Sequence, residues 1–129
     1  MVPDSNEMVR YFCGHAAICR NAEPVARKAA SLMAWEHLWT KYVWVGVLEH
    51  WNESLRLLHA ALPSYMPARA LQIAMAPTSH IARNVAKKKN ELAPPGEATL
   101  AAVRVDVALD LWLYQRVLGL HQNRVRACL

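Results

Sequence analysis

No aspartate or glutamate occurs between Ser54 and Asn90, although the 129-residue chain carries 10 acidic residues elsewhere. Glycine is scarce, with only 4 residues, while alanine is abundant and the β-branched residues are mostly scattered. That balance favours helix over sheet. Long uncharged runs are missing as well. The longest stretch free of Asp, Glu, Lys and Arg is 70–82, and it contains Pro77 and His80. A spanning helix wants roughly 20 consecutive apolar residues, so an autonomous transmembrane helix is not expected. Charged residues make up only 19 % against 54 % hydrophobic, which excludes wholesale disorder and leaves enough apolar mass for one core. Glycine-rich phosphate loops, Gly-x-Ser-x-Gly and His-Glu-x-x-His are all absent, so nothing supports an enzyme. No catalytic, cofactor-binding or metal-ligating residues are expected.

Three cysteines, Cys13, Cys19 and Cys128, form an odd set without a framework spacing. The expectation is inert buried thiols in a reducing intracellular compartment rather than a disulfide staple. Zinc would need more ligands than this. His15 and Cys19 share a helical face, but Cys13 does not join them, and no second Cys-x-x-Cys or His-x-x-x-His completes a set. Glu36-His37 and Glu49-His50 place carboxylate and imidazole about 100° apart on a helix, unlike the Glu-x-x-His pairs of bundle metal sites. The apolar run after Arg10 is preceded by Asp4 and Glu7, which argues against a signal or transit peptide.

What is present is helical patterning. Asp4 followed by Glu7 reads as a capping box opening a helix over about 5–20, with Met8, Tyr11, Phe12, His15 and Cys19 at helical spacing. Pro24 suits the first turn of a second helix, which could run from about 23 to 62 with a kink or break near Gly46. Shorter helices are expected over about 65–76, capped by Ser64, and over about 79–91. After the break at 93–96 a final helix carries Leu100, Val103, Val107, Leu111, Tyr114 and Leu118 to Gly119. The predicted fold is all-α: a small irregular bundle of four to six helices with one long, Trp-rich helix. It forms a single domain over 1–129, with proline-rich breaks at 63–67, 77 and 93–96 and a basic tail at 121–129.

Two features point to partners. Four of the five tryptophans (Trp35, Trp39, Trp44, Trp51 and Trp112) lie within 17 residues, and they fall on opposed sides of the expected long helix. One small core cannot easily absorb them all, so they are expected at a protein or lipid interface. The formal net charge of +5 lies wholly in 67–90, in Arg69, Arg83, Lys87, Lys88 and Lys89. Such a segment attracts acidic partners, anionic headgroups or nucleic acid. The basic residues do not interleave with the tryptophans, which makes nucleic acid the lesser expectation.

Two short resemblances can be quoted. Arg116-Val117-Leu118-Gly119-Leu120-His121 is similar to the Arg-x4-His motif of helical RNases of the HEPN superfamily, although Val117 stands where that family usually has a polar residue. The likeness implies Arg116 on a scissile phosphate and His121 as general acid or base. Glu91-Leu92-Ala93-Pro94-Pro95 and the helix after it resemble the small membrane subunit g of mitochondrial ATP synthases, without the expected Gly-x-x-x-Gly. Neither assigns the chain to a family. The expected function is a non-catalytic helical accessory subunit of a larger, membrane-associated assembly, for example an organellar respiratory or ATP synthase complex. It would sit at the mitochondrial inner membrane or on its matrix side, with other protein subunits as partners. The alternatives are a small basic nucleic-acid-binding or regulatory protein and, more weakly, a HEPN-like RNase.

Overall fold

The computed structural model describes residues 6–77 and 93–129. Among them the chain is all-α, with six α-helices and no strand: α1 (Glu7–Cys13), α2 (Pro24–Lys41), α3 (Trp51–Ala61), α4 (Ala68–Met75), α5 (Glu97–Asp106) and α6 (Ala108–Cys128). Two 3-10 turns, Ala17–Arg20 and Leu48–His50, precede α2 and α3. The helix expected over 79–91, and the cap expected at Asp4, lie outside the described residues.

The core joins the two ends of the chain to α2. Ala30, Ala34 and Leu38 line one stripe of α2 and pack with Val9 and Cys13 of α1, Val47, and Leu113 and Val117 of α6. Small side chains at 30, 31 and 34 let neighbouring helices approach α2 closely, and Leu38 and Leu113 fill the space that remains. Burying each of those leucines stabilises the fold by roughly 2–3 kcal/mol. A second buried group, Leu55, Leu57 and Leu58 on α3, serves the contacts of that helix with α4 and α6.

A polar lock ties the N-termini of α1 and α6 together. Asn6 Oδ1 accepts from the backbone N–H groups of Leu109 and Asp110 at 3.1 and 3.0 Å. Asp110 in turn accepts from the N–H groups of Met8 and Val9 at 3.0 and 2.8 Å. Each helix thus has its orphan amides satisfied by a side chain from the other, the work normally done by a local cap.

Several expected boundaries are corrected. The first helix stops at Cys13 rather than running to 20. Gly14 follows it at φ 105°, a conformation that side-chain-bearing residues rarely adopt. Its buried residues are Val9 and Cys13, whereas Tyr11, one of the residues at helical spacing, is 77 % exposed. The long Trp-rich helix breaks near Gly46, where a kink or break was expected, and is two helices, α2 and α3. Tyr42 and Val47 are extended, and β-branched Val43, Val45 and Val47 suit that conformation. The Trp44 indole N–H donates to the Ser54 carbonyl at 2.7 Å and folds the segment back over α3. Gly46 makes room, since a Cβ there would meet the Trp44 ring at 2.5 Å. The helix expected over 65–76 begins at Ala68, because Pro67 is extended and takes the N-cap position from Ser64.

The final helix is also interrupted. Val107 (φ −107°, ψ 22°) separates α5 from α6, and the buried stripe of α6 is Leu113, Val117 and His121 instead of the one from Leu100 to Leu118. The basic residues 121–128 continue that helix and are not a separate tail. The cysteine expectation is overturned too: Cys13 and Cys19 are joined by a disulfide, and Cys128 is free and exposed. The bridge is possible because Gly14 ends α1 and the 3-10 turn brings Cys19 back beside it, which a continuous helix would have prevented.

Candidate interaction surface

The tryptophans divide by environment. Trp35 and Trp112 are half-buried against the core cluster, and Trp44 is fixed on Ser54. Trp51 is half-buried with its indole N–H enclosed and without a hydrogen-bond partner among the described residues. Trp39 differs, with 53 % of its surface exposed near the end of α2. Of the expected interface set, only Trp39 presents most of its ring to solvent. Trp112 contributes at the surface in another way, because the Arg116 guanidinium lies over its ring at 5.3 Å.

Trp39 belongs to an exposed apolar row. Val25 (83 % exposed), Leu32 and Trp39 recur every seven residues along α2, and exposed Val43 follows just beyond its end. Seven residues rotate a helix by nearly two full turns, so the three align on one outer face. A second apolar exposure lies on α5, which buries no residue and shows Leu100, Val103 and Val105. Among the described residues α5 packs only on α6, and α4, equally without a buried residue, only on α3. Of the expected anionic-partner contacts, Arg69 is exposed on α4, while Arg83, Lys87, Lys88 and Lys89 lie outside the described residues.

His50, His121 and the buried Ser54 hydroxyl form a structural cluster. Ser54 Oγ accepts the Val47 N–H at 2.8 Å and lies 3.0 Å from both the Val47 carbonyl and His121 Nε2. A hydroxyl has one proton. When that proton goes to the Val47 carbonyl, His121 Nε2–H donates to Oγ and all three contacts are satisfied. The hydroxyl clasps the extended segment to α3 and α6 and is not free to act as a nucleophile. Burial holds the His121 imidazole below the ordinary histidine range. The His50 ring, 5.6 Å away, adds to the shift, and Glu53 opposes it. His50 pairs with Glu53 at 2.9 Å. The Tyr114 hydroxyl donates to Glu49 at 3.0 Å. That bond raises the phenol, while the carboxylate is held below its usual range first by its own backbone N–H and then by Tyr114.

Arg116 and His121 are not brought together. The arginine stacks on Trp112 in solvent, and the histidine is buried against Ser54. His37 donates Nδ1–H to the Phe12 carbonyl at 2.8 Å, and His59 donates to the Met66 carbonyl at 2.7 Å. These imidazoles satisfy backbone acceptors. No group of three or more metal-ligating side chains is assembled among the described residues, and no described helix is long and apolar enough to cross a membrane.

The fold and its surfaces define a small all-α protein with exposed apolar helix faces. No protein-family model, curated protein or solved structure matches the chain.

Proposed function

We propose that this chain is a non-catalytic helical accessory subunit of a larger multi-protein assembly, working beside a membrane, with other protein subunits as its partners. The observation that carries this reading is the aligned row of Val25, Leu32 and Trp39 on the outer face of α2, with Val43 beyond it. A tryptophan among exposed aliphatic side chains is the composition of an interface anchor with its surrounding contacts. The bare apolar surface of α5 supports the same reading. Membrane proximity rests on less: the tryptophan content and the uncompensated positive charge of 67–90. A disulfide persists where conditions are oxidising. The Cys13–Cys19 bridge therefore favours a side of an organellar membrane on which disulfides form over a reducing compartment.

The test is gentle purification of the tagged chain from its native cells, in wild-type form and as Leu32→Asp/Trp39→Asp. The expected result is a stoichiometric, detergent-stable complex whose recovery falls by about tenfold or more in the variant, the loss of one hot-spot cluster. Circular dichroism should be unchanged, since both side chains are exposed. A monodisperse monomer in plain buffer, with no stoichiometric partner in the native extract, would overturn the reading.

A second reading, a small nucleic-acid-binding or regulatory protein, is favoured by one observation: the entire net charge falls in 67–90. It predicts salt-steep binding that weakens when Lys87, Lys88 and Lys89 become glutamine. Affinity unchanged in that variant would dispose of it.

A further inference from the structure

A cleft of about 570 Å³ opens between α1, the loop 14–16, the 3-10 turn and Tyr42 just after α2. Its volume lies within the range of small-molecule sites and exceeds what a bare inorganic anion needs. Arg10 projects from α1 and Arg20 from the 3-10 turn, and both line it together with His15. Arg20 Nη2 lies 3.5 Å from His15 Nδ1. A guanidinium can only donate, so Nδ1 is the unprotonated nitrogen in that contact and His15 keeps Nε2–H as a donor. Glu7 is the one carboxylate among the lining residues. Neither guanidinium is ion-paired among the described residues, and apart from the contact of Arg20 with His15 their donors remain available.

The same cleft has an aromatic wall. Tyr11 meets Phe12 edge-on with ring centroids 5.1 Å apart, and Phe12 meets Tyr42 edge-on at 5.7 Å. Phe12 therefore holds two phenol rings at the cleft, where their faces can take a planar group. Guanidinium forks match the geometry of phosphate oxygens. The bridge between Cys13 and Cys19 closes the loop that carries His15 and sets Arg20, the next residue, across from Arg10.

We propose that this cleft binds a small phosphate monoester bearing a planar ring, of the nucleoside monophosphate kind. Arg10, Arg20 and the His15 Nε2–H hold the phosphate, and the ring lies against Tyr11 and Tyr42. The inference is independent of the α2 row, which contributes no residue to it.

Titration calorimetry on the full chain tests it with four probes: adenosine 5′-monophosphate, adenosine, ribose 5-phosphate and inorganic phosphate. The proteins are wild type, Arg10→Gln/Arg20→Gln, and Arg126→Gln as a control at an exposed arginine of α6. The expected result is saturable one-to-one binding of the monophosphate that weakens by about tenfold or more in the double variant and stays unchanged in the control. Adenosine and ribose 5-phosphate should each bind more weakly than the intact nucleotide. Absence of saturable binding by the wild type, or affinity unchanged in the double variant, would overturn the site. Inorganic phosphate binding as tightly as the monophosphate would overturn the assignment of the ring.

Discussion

The helices around α2 and the pair formed by α4 and α5 are built from similar residues, yet they behave as two kinds of structure. In the first, α1, α2 and α6 bury small and branched side chains against one another and exchange caps. In the second, neither helix buries a single residue, and each leans on one neighbour among the described residues. Composition alone would rank α5, with its alanines, valines and leucine, as a good core helix. What separates the two groups is whether a partner covers the apolar face, and among the described residues α5 meets only α6. Local stability therefore runs from the global value in the core towards small values in α4 and α5.

Breaking the core should give the largest effect. Leu113→Ala removes a fully buried side chain from the meeting point of three helices, and a loss of about 3–4 kcal/mol is expected in chemical denaturation. Ser54→Ala comes next. It strands the Val47 backbone groups and the His121 N–H in a buried place, at a cost of roughly 2 kcal/mol measured in the same way. Asp110→Ala leaves two amides of α1 without their acceptor and should cost about 1 kcal/mol. Hydrogen exchange should show the loss concentrated in the first turn of α1.

Acidification should give a smaller effect. The folded state keeps His121 below its ordinary range, so the unfolded chain takes up the proton first as pH falls. The stabilisation is fully present above a histidine's usual value of about 6.5 and is lost as pH drops from there towards the folded value. Thermal melting at pH 7.5 and 5.5 should show a decline that His121→Gln reduces. The smallest effect sharpens the comparison from the other side. Val105→Ser on α5 should change stability by less than about 0.5 kcal/mol, because that side chain is 76 % exposed. A cost near that of Leu113→Ala would mean that α5 is covered in the isolated chain after all.

Helical class and the opening of α2 at Pro24 were legible because they rest on local chemistry: alanine content, apolar spacing and a proline fit for a first turn. Register along α6 was not. Leu109, Leu111, Trp112, Leu113, Val117, Leu118 and Leu120 clothe that helix on most sides, so several stripes fit the sequence and only packing against α2 selects Leu113 and Val117. The break at 42–47 was half legible. Gly46 marked its place, but the clasp of Trp44 and Ser54 that maintains it joins residues whose pairing no spacing announces. The disulfide was missed for a related reason, because a helix assumed to continue through Gly14 keeps Cys13 and Cys19 on different faces. Among the tryptophans, sequence could count but could not sort. Trp39 is outward because Leu38 beside it faces the core.

The reciprocal caps of Asn6 and Asp110 bear on how the molecule is made. They join positions 101 to 104 residues apart, so during synthesis α1 waits for its acceptor over that length of chain. A seven-residue helix is too short to persist alone in water. On the ribosome, α1 and the turn after it would remain an uncommitted peptide with two cysteines in reach of oxidant, while α3 already has α4 as a neighbour close in sequence. The helix α1 is thus translated before the helices it packs on, and its caps close only after α6 has emerged.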